Sequence, residues 1–325
     1  MDLTLILALL GLGALLIPVL GGDDDDGDEP NEIRGTLDAD ELDGTDGDDN
    51  ILGFDGDDII DGGAGEDFIN AGLGNDTVDG GDDRDVIEGR AGDDTINGGN
   101  GSDTIEGGMG EDRIDGGRDF DIIRGGNDND VLLGGAQAVE DGDGGLILDS
   151  SRGDIERGND GDDEVFIWGG QGLAVGGSGD DTLVLVTGQG TLEDEDGETD
   201  FVILANAQDD TIPTRGTITE FNPMQDTLTL TVDGDLGGGA APEVEFTLEA
   251  RTIEENGQPV NGVFVLAQIA DGEPDVEGSE GAGVFLRGAT IEGLEGAEID
   301  VVFTDNADYF DPEETLDFIQ NRVTA

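Results

Sequence analysis

Aspartate is the residue type through which this chain could do chemistry. Written in rows of nine from Gly35, the sequence puts Asp at position six of eleven consecutive rows: Asp40, Asp49, Asp58, Asp67, Asp76, Asp85, Asp94, Asp103, Asp112, Asp121 and Asp130. After a break, rows 158–166 and 176–184 place Asp163 and Asp181 at the same position. A single aspartate among glycines is as readily a turn-forming side chain as a ligand. Carboxylates repeated in register are a different matter. They suit a hard divalent cation such as calcium, which takes six to eight oxygens from carboxylates and backbone carbonyls.

Composition removes most other chemistries. The chain has 325 residues, 82 of them acidic and 12 basic, for a formal charge of −70, and all the basic residues are arginine. Without histidine or cysteine it cannot assemble a Ser/His/Asp triad, a Cys/His pair, a His-ligated zinc or a disulfide. A phosphate backbone is held by clustered Lys and Arg, so nucleic acid is excluded as a partner. Such high charge with few aromatics is also the signature of disorder, which describes the chain without a cation.

The other positions of the row describe the element that must carry the aspartates. Position one is Gly in ten of the eleven rows, Ala71 being the exception, and position eight is always aliphatic, from Leu42 and Ile51 to Ile123 and Leu132. Glycines at positions one, two and four permit the left-handed backbone of a tight turn, with carbonyls facing an ion. The three residues after the turn form a short strand whose position-eight side chain points inward. Two rows would then make one turn of a flattened solenoid, with aspartates stacked along each edge about 4.8 Å apart, the spacing of neighbouring strands. Position four is Asp at Asp38, Asp83, Asp119 and Asp128; Asp tolerates positive φ better than most residues and could add a ligand there.

Rows such as GGAGEDFIN (62–70) and GGNGSDTIE (98–106) match the pattern G-G-x-G-x-D-x-U-x, and the block 35–133 resembles the RTX, or hemolysin-type, calcium-binding nonapeptide repeats of exported bacterial proteins. The resemblance implies a parallel β-roll in which each Ca2+ lies between turns on one edge, bridged by position-six aspartates and turn carbonyls. It also implies export, commonly by a type I secretion machinery that reads an uncleaved carboxy-terminal signal. With a Kd of about 10⁻⁴ M per site, a hundredfold excess of calcium contributes about 2.7 kcal/mol per site. The roll is therefore expected to stay unfolded in calcium-poor cytosol and to fold outside the cell.

The flanking regions extend this reading. Residues 3–20 run without a charge and give about 27 Å of helix, enough to reach across a membrane; with Asp2 and no small-residue cleavage site, 1–22 reads as an anchor rather than a removed leader. Residues 23–34 read as an acidic linker, 134–157 as an irregular insertion, 158–184 as a short second repeat block and 185–325 as a β-rich module. Strand candidates there include 182–187, 200–205, 226–232, 243–249 and 262–269. Asp311-Pro312-Glu313-Glu314 marks the start of a short helix to about Asn321.

The fold expected is all-β: a parallel β-roll followed by a β-rich carboxy-terminal module, with an amino-terminal apolar helix. The function expected is that of a calcium-binding, non-enzymatic extracellular or cell-surface protein whose roll acts as a scaffold or adhesion module. The alternative is a secreted polysaccharide-modifying enzyme with its activity in 185–325, which would need one carboxyl of raised pKa beside one that stays ionised.

Overall fold

The computed structural model describes residues 30–135, 138–140, 146–148, 154–168, 172–187, 190–193, 195, 197–204, 215–233, 244–255, 258–269, 283–287, 289–291, 293–294 and 297–304. The expected apolar helix at 3–20, the acidic run 23–29 and the carboxy-terminal helix lie outside the described residues. Among the described residues no helix is long and apolar enough to cross a membrane.

Each nine-residue row contributes one strand, and successive strands go alternately to two long sheets of 13 and 11 strands. Strands two apart in sequence pair in parallel, with a residue facing its counterpart one coil later: Ile51 opposite Ile69, Ile69 opposite Ile87, Ile60 opposite Val78. The offset is 18 residues, so two rows make one coil. The backbone thus closes its hydrogen bonds between coils and gains a strand with every row.

Strand periodicity sends positions six and eight to the inside of the roll. Ile51, Ile69, Ile87, Ile105 and Ile123 from one sheet meet Ile60, Ile96, Ile114 and Leu132 from the other, all nearly or fully buried in one continuous core. Turning from one sheet to the other within a few residues requires left-handed backbone. It occurs at position two, as in Gly81 (φ 110°), and at position four, as in Gly92 (φ 133°). Of the position-four aspartates, Asp83, Asp119 and Asp128 adopt φ of 76–78°, whereas Asp38 is not among the left-handed residues. Phe54, Arg90 and Asn159 take the same conformation at position two.

The coils extend beyond the regular rows at both ends. Asn31–Arg34, in the stretch expected to be a linker, forms a strand parallel to Asp49–Asp55, with Ile33 opposite Ile51 and packed on the core. At the insertion, Ile122 faces Ile155 and Val131 faces Glu164, an offset of 33 in both sheets. The chain therefore leaves the roll for about one short excursion, which carries the antiparallel pair Ala138–Glu140 and Leu146–Leu148, and re-enters in register.

Past residue 184 the same two sheets continue through Thr191–Glu193, Asp200–Leu204, Arg215–Thr219 and Thr227–Asp233. The larger sheet ends on a hairpin of 12-residue strands, Val244–Glu255 and Gln258–Ile269, which joins Gly283–Arg287 antiparallel.

Because the position-eight column is the core, truncating it mid-roll should be costly. Ile105→Ala is expected to lower the stability of the calcium-loaded protein by about 2–5 kcal/mol, measured by denaturant unfolding.

Candidate metal centre

From Asp58 onward, each position-six aspartate of the repeat block uses its two carboxylate oxygens differently. Oδ1 accepts the backbone N–H of the aspartate one coil earlier: Asp40 N–H to Asp58, Asp49 to Asp67, Asp58 to Asp76, and so on through Asp112 to Asp130, at 2.8–2.9 Å. The backbone carbonyl of the same residue accepts from position seven one coil later, as in Thr77 N–H to Asp58 O at 2.9 Å. One oxygen of the side chain is thus a rung of the parallel ladder.

The other oxygen is left over. From Asp58 to Asp130, and at Asp163, the residue is buried and Oδ2 has no hydrogen-bond partner. An unpaired buried carboxylate oxygen is costly, and a column of them at inter-strand spacing repels itself. Position one shows what lies beside that oxygen. A Cβ added at Gly80 would lie 2.5 Å from Gly98 O and 2.8 Å from Asp85 Oδ2; at Gly89 it would lie 2.5 Å from Asp94 Oδ2 and 2.7 Å from Gly107 O. The absence of a side chain keeps a carboxylate oxygen and the carbonyl of the next coil facing one small space.

That oxygen-only donor set fits a calcium ion, with carbonyls completing the shell. Among the described residues no three acidic side chains converge as a ready-made metal site, so backbone carbonyls must supply much of the coordination.

The two ladders have distinct ends. At Asp40 and Asp49 the Oδ2 atoms are already satisfied, accepting Thr36 N–H at 2.6 Å and Oγ1–H at 2.9 Å, and Thr45 N–H at 2.6 Å and Oγ1–H at 3.0 Å. Threonine thus takes Oδ2 at the first turn of each edge, while Asp49 Oδ1 stays buried without a hydrogen-bond partner. On the edge of Asp130 the ladder passes to Asp163, then Asp181. It resumes at Asp226, whose Oδ1 accepts Thr199 N–H and whose Oδ2 accepts Asn222 N–H. On the other edge Asp121 N–H donates to Asp154 Oδ1 at 3.0 Å.

Sequence reading missed Asp154 and Asp226 because their rows, DSSRGDIER and FNPMQDTLT, lack the opening glycine. The available signal was the distance of nine residues from Asp154 to Asp163 and the Leu two after Asp226. A second ladder also went unseen. Position-five side chains run the opposite way, as in Asp57 Oδ1 accepting Asn75 N–H at 2.9 Å and Asn75 Oδ1 accepting Asp93 N–H at 3.0 Å.

Burial is the main cause of raised pKa along the inner ladder, with neighbouring aspartates adding to it and the donated backbone N–H opposing it. Asp67, Asp76 and Asp103 move to about 6; Asp85, Asp112 and Asp163 to about 7; Asp94 and Asp130 to about 8; and Asp121 to about 9. Glu156, fully buried, is pushed well above the ordinary carboxylate range by burial and by Asp154 and Asp121.

Residues 34–69, 70–105 and 106–138 match the family model of the RTX calcium-binding nonapeptide repeat. The repeat block of this β-solenoid thus carries the RTX calcium-binding nonapeptide repeat. No curated protein matches the chain.

Two outcomes follow from this geometry. Asp94→Asn keeps an oxygen for the Asp76 N–H but replaces the free oxygen by an amide, so it should weaken calcium binding while leaving the calcium-free protein at least as stable; Asp94→Ala should damage both states. Paired calcium titrations and melts check this. For calcium-free protein the sign of the pH dependence is set by carboxyls whose folded pKa lies above the ordinary aspartate range. Their stabilising contribution is full below about 4 and is lost as pH rises through about 6 to 9. Calcium-free protein should therefore gain β-structure on acidification, followed by circular dichroism.

Proposed function

We propose that this protein is a calcium-folded, non-enzymatic extracellular or cell-surface scaffold. Its roll orders when calcium occupies the two inner edges after export. The ligands are the Oδ2 atoms of Asp58, Asp67, Asp76, Asp85, Asp94, Asp103, Asp112, Asp121, Asp130, Asp163 and Asp181, together with turn carbonyls. Asp40 and Asp49 start the ladders with Oδ2 held by threonine, and at Asp49 the partnerless oxygen is Oδ1 instead.

The observation that carries this reading is the buried column of partnerless Oδ2 atoms beside carbonyls in the repeat block of an RTX array. Neutralising that column by divalent ions removes the self-repulsion that otherwise opposes a compact chain of charge −70. Extracellular calcium saturates sites of about 10⁻⁴ M, and cytosolic calcium does not. Folding is thereby tied to the compartment. The net acidic character of the chain suits a solvated spacer or adhesion module.

Circular dichroism of the full chain, titrated with calcium and separately with magnesium or sodium chloride, tests the proposal. β-Structure is expected to appear cooperatively with calcium only. Equal induction by sodium chloride would contradict it.

A further inference from the structure

The most unusual buried group in the roll is Glu156. It occupies position eight, the core column, between Ile123 one coil earlier and Ala174 one coil later. Its residue is 0% exposed, and neither Oε1 nor Oε2 has a hydrogen-bond partner. Every regular row fills this position with an aliphatic side chain. A buried carboxylate without a cation or a donor costs far more than the leucine that would fit there.

Its surroundings are built for an occupant. Asp154 and Glu156 alternate along one strand and so face the same interior side. Gly134 opens the row that the excursion interrupts: a Cβ there would collide with Glu156 Oε1 and stand 3.0 Å from Asp154 Oδ2. Both carboxylates therefore lie against the same glycine and close enough to act on each other's charge. On the following coil position six is Gly172, where a Cβ would meet nothing closer than 3.5 Å, and position eight is Ala174. The ladder on this edge thus loses its next aspartate where an extra carboxylate enters from the core.

We infer that Asp154 and Glu156 form a calcium site of their own, distinct from the repeat sites, that pins the chain where it re-enters the roll after the excursion. The inference rests on the calcium reading of the ladder. Here Glu156 takes the place of the aspartate missing at 172, and carbonyls complete the shell. The ion ties Gly134, the last turn before the excursion, to Asp154, the first residue after it. In register this holds the two parts of the solenoid together as one.

Native mass spectrometry of the full chain in calcium, with melts in calcium and in chelator, tests this on Glu156→Leu and Glu156→Gln, with Asp94→Asn as a ladder control. Both Glu156 variants are expected to carry one calcium fewer than the parent and to melt lower in calcium, while Glu156→Leu melts no lower than the parent in chelator. An unchanged ion count, with Glu156→Leu melting higher in both conditions, would overturn the inference and mark Glu156 as a neutral buried acid. In that case loss of calcium in Asp94→Asn would still uphold the ladder. A parent protein that binds no calcium would overturn both.

Discussion

Everything in this roll depends on a carboxylate that serves the backbone with one oxygen and leaves the other facing inward without a partner. Oδ1 stands in for a carbonyl, accepting the position-six N–H of the preceding coil. This fixes the aspartate so rigidly that Oδ2 can only point at the carbonyls behind position one. The side chain that holds the ladder in register is therefore also the one that makes the ladder unstable without a cation. On the proposed reading, structural and ion-binding roles are not alternatives at these residues; each oxygen takes one.

This arrangement couples neighbouring coils. A coil places its Oδ2 only once its Oδ1 has closed the rung to the preceding coil, so each coil is ordered on the one before it. Stability in such a quasi-one-dimensional array is carried by neighbour interfaces, so the ends need separate treatment. Here Thr36 and Thr45 close the first turns, and Asn222 closes the turn at Asp226. At the far end the antiparallel hairpin Val244–Glu255 and Gln258–Ile269 ends the larger sheet.

The repeat was legible because its two inward positions are chemically extreme: Asp at one and an aliphatic residue at the other in every row, at fixed spacing, with glycine at most positions where the backbone turns. From these the two-sheet solenoid and its coil of two rows follow. What periodicity could not show were the rows that keep only part of the pattern. The strand at Asn31–Arg34 has a core residue, Ile33, but its row has Asp26 and Glu29 where positions one and four are usually glycine, and Asn31 where position six is Asp. Asp154 is followed by a glutamate where an aliphatic residue should stand, and FNPMQDTLT keeps the Asp and the Leu alone. In each case backbone pairing with a neighbouring coil imposes the conformation that the row's own residues only partly encode. The division of labour between Oδ1 and Oδ2 was also beyond reach, since it depends on which atom lies beneath the neighbouring N–H.

The most direct measurement is anomalous scattering from crystals of the full chain grown in calcium. Peaks should lie along both inner edges, each beside the Oδ2 atoms of Asp67 to Asp130 and the position-one carbonyls. Ordered, folded coils with those carboxylates intact and no ion density beside them would contradict the account.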